Sequence, residues 1–120
     1  PGGRACVQSI VIDDALFERY VQGTDFIQQY VFPGGCLPSP ARFRAAAHEA
    51  GLRVVEELAF GADYAETLRR WHRQFTQQRD QVRAQGFDEK FLRTWEFYLA
   101  CSEAAFDSRS IDVVQYTLVK

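Results

Sequence analysis

The sequence contains no methionine, only two histidines, and three cysteines without a C-x-x-C pair. Each shortage removes a class of function. His48 and His72 stand far apart, and Cys6, Cys36 and Cys101 share no ligand spacing, so a zinc site is not expected. The odd cysteine count reads as free thiols in a reducing cytoplasm, with Cys6 and Cys36 serving as small apolar residues. The lack of methionine even at position 1 leads to the expectation that the chain is a piece of a longer protein. A surplus of either charge is missing too. Fourteen basic and sixteen acidic side chains leave a net charge of −2, without a basic footprint for nucleic acid or a polybasic run for membrane docking. No apolar stretch approaches the ~18–20 residues of a spanning helix, and the start "PGGRACVQSIVI" lacks the pattern of a signal peptide. Any membrane contact is therefore expected to be peripheral.

What the chain does have is material for one core. With 47% hydrophobic residues and ten phenylalanines among 120 residues, it can bury a single apolar cluster and is too apolar for disorder. "ACVQSIVI" (5–12) is a short β-branched run suited to a buried strand, interrupted by Gln8 and Ser9. Asp13 and Asp14 offer caps for a helical stretch ending at Gly23, and Asp25 with Gln28 fits a capping box for "FIQQYV". "FPGGCLPSP" (32–40) holds too many prolines and glycines for regular structure and reads as a loop. Ser39 and Pro40 then open a helix that Gly51 closes. "LRVVEELAF" (52–60) has one apolar and one mixed face, as at a sheet edge. "IDVVQYTLV" (111–119) is apolar on both faces after Asp112, as in a sheet interior.

Two long helices separate these last strands. The first has Asp63 and Glu66 at capping-box spacing, with Tyr64, Leu68, Trp71 and Phe75 forming one stripe. The second opens at Asp88, with Phe87 and Leu92 spaced as a hydrophobic staple, and carries Phe91, Trp95, Tyr98 or Leu99, Ser102 and Phe106 on its stripe. The order is β-α-α-β-α-α-β. Helical crossovers between strands imply parallel pairing, with the last strand inserted between the other two.

Four segments in this order, "FIQQYVFPGGCLPS", "FGADYAETLRRW", "YLACSEAAF" and "IDVVQYTLVK", resemble the C-terminal part of the cyclopropane-fatty-acyl-phospholipid synthases and mycolic acid cyclopropane synthases. The resemblance runs from residue 4 to residue 120. It implies an α/β fold, the C-terminal part of a doubly wound methyltransferase domain. That is a three-stranded sheet, its last strand antiparallel and central, packed with four to five helices. It implies an S-adenosylmethionine-dependent enzyme that adds methyl or methylene to double bonds of unsaturated phospholipid acyl chains, working peripherally at the cytoplasmic face of the membrane. The family's glycine-rich cofactor loop, of the D-x-G-C-G-x-G kind, has no counterpart here. "PGG" occurs at 1–3, before the first strand, and at 33–35, after a helix. The chain is thus expected to lack the cofactor-binding half and to be inactive alone.

The resemblance also assigns residues. The family's chemistry needs a base for the departing proton, thought to be a bound bicarbonate. Tyr64 in "GADY" matches the family's G-x-x-Y tyrosine, one of that anion's ligands. Gln8 stands where the family usually has histidine, and Ile10 where a backbone group contributes. Glutamine donates a hydrogen bond but cannot relay a proton, which brings a methyl-branching relative into consideration. The acyl-channel wall would include Phe32, Pro33, Leu37, Leu68, Tyr98, Ser102 and Phe106. In "YLACS" the family's usual cysteine is displaced to Cys101, with Ser102 in its place. From periodicity alone Tyr64 reads as a core residue, and each channel residue reads equally as ordinary core. Arg69, Arg70, Arg73 and Arg79 read as a solvated face balanced by nearby acids, and a non-catalytic α/β lipid-binding module is the competing function.

Overall fold

The computed structural model describes residues 2–120. Strand β1 (Arg4–Ile12) leads through a turn into two single-turn helices, α1 (Phe17–Val21) and α2 (Phe26–Tyr30). Helix α3 (Pro40–Glu49), strand β2 (Arg53–Ala59), helices α4 (Gly61–Gln77), α5 (Arg79–Ala84) and α6 (Glu89–Asp107), and strand β3 (Ile111–Val119) follow. Only Gln78 separates α4 from α5, so the two form nearly one helical arm.

The sheet order is β1-β3-β2, with β3 in the centre and antiparallel to both neighbours. Arg4 pairs with Val119 and Ile12 with Ile111 on one side, and Ala59 with Val114 on the other. The central, antiparallel last strand is the arrangement the resemblance implied. The parallel pairing inferred from crossovers does not occur between neighbours. The α4–α6 segment folds back on itself as a helical hairpin and returns the chain beside β2 in the opposite sense. β1 and β2 run parallel to each other but never touch, since β3 lies between them.

β3 is buried at Val113, Val114, Tyr116 and Leu118, so both of its faces are covered. One face packs on α4 and α6 through Ala65, Leu68, Leu99 and Phe106. The other meets α3, where Tyr116 stacks on Phe43 with ring centroids 4.0 Å apart. β2 is an edge strand, as its mixed face suggested, and a register shift between Val54 and Glu56 breaks its alternation. β1 is buried only at Val11 and Ile12, and its residues Arg4–Gln8 are exposed. The expected buried strand is thus half realised, because the helices reach only its C-terminal half.

Three caps follow the sequence. Asp25 and Gln28 form a reciprocal capping box, Ser39 caps α3 with Pro40 at its first position, and Asp88 accepts from Phe91 N–H at 2.8 Å. Two do not. Asp13 Oδ1 accepts from Ala15 N–H and Asp14 Oδ1 from Ala41 N–H, so neither caps α1. Helix α4 begins at Gly61, which places Asp63 inside the first turn and not at its cap. The Phe87 ring lies 4.4 Å from that of Phe91, while Leu92 is fully buried.

Candidate functional site: an apolar cavity between the sheet and the helical arm

The loop Phe32–Pro38 crosses the open side of the space between β1, β3, α4 and α6. Gly34 sits at φ +79, and a Cβ on Gly35 would come 3.0 Å from the Phe32 carbonyl oxygen, so the turn needs both glycines. Two side chains strap this loop down. Tyr20 Oη accepts from Leu37 N–H at 3.0 Å, and Gln28 Nε2 donates to the Gly35 carbonyl at 3.1 Å. Beneath the loop lies a cavity of about 340 Å³.

Eight of the ten residues selected from the sequence line this cavity: Ile10, Phe32, Leu37, Tyr64, Leu68, Tyr98, Ser102 and Phe106. Pro33 and Gln8 are not among its lining residues. Pro33 is exposed in the loop, its neighbour Phe32 turning toward the Tyr98 ring at 6.2 Å. Gln8 precedes Ile10 by two positions on the same face of β1, just beyond the cavity. Its Oε1 accepts from Gln115 Nε2 at 3.0 Å, which leaves its own Nε2 without a partner among the described residues. Tyr20, Ile27, Cys36 and Ile111 also line the cavity and were not selected. Asp25 and Gln28 do so too, although their capping-box spacing explains them without reference to a site.

Helical spacing builds the inner wall. Tyr64 and Leu68 lie one turn apart on α4, and Tyr98, Ser102 and Phe106 lie one turn apart on α6. Leu68 and Phe106 are essentially inaccessible, while Tyr64 is half-buried, its ring 5.1 Å from Phe106 and 6.1 Å from Trp71. Burial raises the Tyr98 phenol above its ordinary value, with Tyr64 adding to the effect and a hydrogen bond with Ser102 opposing it. Tyr98 therefore stays a neutral donor at any ordinary pH. The chemistry available is that of a hydrocarbon pocket interrupted by a few hydroxyls.

The remaining candidates fall outside. Cys6 and Cys36 are exposed free thiols and not core fillers, and no group of three metal-ligating side chains occurs among the described residues. The arginine face is ion-paired: Arg69 meets Glu66, Glu103 and Asp107, Arg70 and Arg73 meet Glu66, and Arg79 meets Glu89 and Glu96. Among the described residues no glycine-rich loop joins a strand to a helix, so none is assigned to a nucleotide-like cofactor. Among the described residues no helix is long and apolar enough to cross a membrane.

Residues 1–116 match the family described as mycolic acid cyclopropane synthetase, and the chain belongs to that family. Its relatives include the tuberculostearic acid methyltransferase UfaA1 of Mycobacterium tuberculosis, 45% identical over 100% of this chain and 28% of the relative. The cyclopropane-fatty-acyl-phospholipid synthase of Escherichia coli K12 is 36% identical over 75% of this chain and 23% of its own length. The chain thus spans less than a third of these curated relatives. Among solved structures, mycolic acid cyclopropane synthase CmaA1 complexed with SAH and CTAB superposes with a TM-score of 0.87 at 25% identity. It covers 99% of this chain and 45% of that one.

Proposed function

We propose that this chain forms the acyl-chain cavity of an S-adenosylmethionine-dependent methyltransferase acting on double bonds of unsaturated phospholipid acyl chains. The observation that carries the reading is Tyr64: a phenol on a rigid helix, lining a mainly hydrocarbon cavity beside Leu68 and Phe106. The methyl donor supplies an electrophilic carbon, and the residues that hold it belong to the part of the protein outside this chain. The chain alone is accordingly inactive.

Each residue has a physical task. Leu37, Leu68 and Phe106 hold the chain by dispersion and keep water away from the cationic centre that alkene methylation creates. Tyr64 donates a hydrogen bond to a small anion beside the reacting carbons while its ring stays against hydrocarbon. Gln8, oriented by Gln115, offers its spare amide N–H from the same face of β1 as Ile10, which lines the cavity and whose backbone contributes to the anion site by resemblance. Phenol and amide are both donors, a set suited to a small anion, and a bicarbonate held there would supply a base for the departing proton. Exposed Phe32 in the cavity lining, with exposed Tyr30 and Phe97 on either side of Phe26, supports peripheral contact with a lipid surface.

Proton loss from the added methyl closes a cyclopropane; a saturated methyl branch, in which the cation instead takes a hydride from a separate two-electron donor such as a reduced nicotinamide or flavin, is the second outcome, favoured by the neutral Gln8 and by the UfaA1 relative. The test is product analysis. Full-length protein given S-adenosylmethionine, a hydride donor and unsaturated phospholipid vesicles should yield modified fatty acid methyl esters, and a ring and a saturated branch differ by two hydrogens. Unmodified chains, or no S-adenosylmethionine binding by calorimetry, would overturn the reading in favour of a non-catalytic lipid-binding module.

A further inference from the structure

Helix α4 has no cap of its own. Phe60 occupies the cap position without a side-chain hydrogen bond, and Asp63 and Glu66 lie too far along to serve. The first N–H is satisfied from β3 instead. Asp112 Oδ1 accepts from Gly61 N–H at 2.7 Å, and the same oxygen accepts from Val113 N–H at 2.8 Å. Phe60 N–H donates to the Val113 carbonyl at 3.0 Å. The start of α4 is therefore clamped to two consecutive residues of the central strand.

The clamp leaves no slack. A Cβ at position 61 would lie 2.5 Å from Asp112 Oδ1, 3.1 Å from its Cγ and 3.2 Å from Phe106 Cδ1. Gly61 is needed for close approach, not for an unusual backbone angle. Tyr64 follows three residues later, and its ring rests on the same Phe106. The strand end that carries Asp112 also contributes Ile111 to the cavity wall. The hydrogen bond thus ties the helix bearing the phenol to the wall opposite it.

We infer that Asp112 is a positioning residue for Tyr64: its carboxylate caps α4 from β3 and fixes where the phenol points within the acyl cavity. This rests on the reading of Tyr64 given above. A cap serving stability alone would raise the melting temperature and leave the chemistry untouched. A positioning cap sets turnover through one side chain, and misplacement by about 1 Å can cost on the order of 10²-fold.

The test uses the full-length protein with Asp112→Ala, Asp112→Asn, Tyr64→Phe and the Tyr64→Phe/Asp112→Ala double variant. Asp112→Ala should lower kcat at least about tenfold with KM for the lipid unchanged. Asparagine keeps the accepting oxygen and should restore kcat. In the Tyr64→Phe background the alanine substitution should cost nothing further, the non-additivity of two residues acting as one. Should Asp112→Ala not fold, Gly61→Ala takes its place in the same cycle, since it displaces the same contact. Multiplicative losses, an Asn variant as poor as Ala, or a folded Asp112→Ala with normal kcat would overturn the inference alone. Normal turnover in Tyr64→Phe would overturn the reading of Tyr64 and the inference with it.

Discussion

Tyr64 and Gln8 are matched to one anion by resemblance, yet the first turn of α4 and the middle of β1 hold their side chains in contrasting ways. Tyr64 sits on a helix clamped by Asp112 and Val113, its ring against Phe106 and Trp71. Gln8 stands on the exposed half of a strand, oriented by a single amide contact with Gln115. A group whose position is over-determined can act on a transition state without reorganising, whereas a loosely held donor supports binding and little more. On the proposed function, the chemistry therefore belongs to the α4 end of the site and the tuning to the β1 end.

The largest expected effect comes from removing the hydroxyl at the rigid end. Tyr64→Phe in the full-length protein should lower kcat on the order of 10²–10³-fold, the usual cost of losing one preorganised donor, with the melting temperature little changed. Unchanged turnover would return the tyrosine to the core. Gly61→Ala comes next. The carboxylate must move away from the new methyl group, so turnover should fall about tenfold and the protein should lose about 1 kcal/mol, the typical worth of a cap. Gly61→Ala should be better tolerated when combined with Asp112→Ala, which removes the two closest contacts; denaturant midpoints of the four variants measure this.

Changes at the loose end should be smaller. Gln8→Ala should cost a few-fold in activity, comparable to a neutral hydrogen bond of about 0.5–1.5 kcal/mol. Gln8→His introduces a group able to relay a proton and should raise the share of ring over branch in the fatty acid methyl esters. A loss at Gln8→Ala as large as at Tyr64→Phe would erase the contrast. The smallest effect lies away from both ends. Hydrogen bonds from Arg70 and then Arg69 hold the Glu66 carboxyl below its ordinary value. A lowered folded-state value stabilises the protein above the unfolded carboxylate range and is lost as pH falls through the folded value. The solvent-screened Glu66 pairs within α4 should thus weaken only in acid and in high salt, visible as a slight drop in melting temperature.

The same contrast explains what could be read from the sequence. Local signals sufficed where the partner is local: Asp25 with Gln28, Ser39 with Pro40, and Asp88 each cap as their spacing suggests. The cap of α4 escaped because its acceptor is 51 residues away, on a strand whose pairing no local pattern reveals. Asp63 and Glu66 have capping-box spacing, but with Gly61 N–H already satisfied Glu66 turns to Arg69 and Arg70. Helical periodicity gathered Tyr64, Leu68, Tyr98, Ser102 and Phe106 onto the facing stripes that now wall one cavity. Tyr20 was passed over since it lies outside any stripe or motif and reaches the site through a hydrogen bond to loop backbone. The strand directions likewise needed the resemblance, because a helical hairpin and a true crossover look alike in one dimension.

The central claim is that an acyl chain lies in this cavity with its reacting carbons at Tyr64. Photolabelling tests it most directly, using the full-length protein and a phospholipid carrying a diazirine at mid-chain. The label should appear on peptides containing Tyr64–Leu68 and Ser102–Phe106, and unsaturated phospholipid should compete it away. Label confined to α3 and β2, or insensitive to competition, would contradict the account.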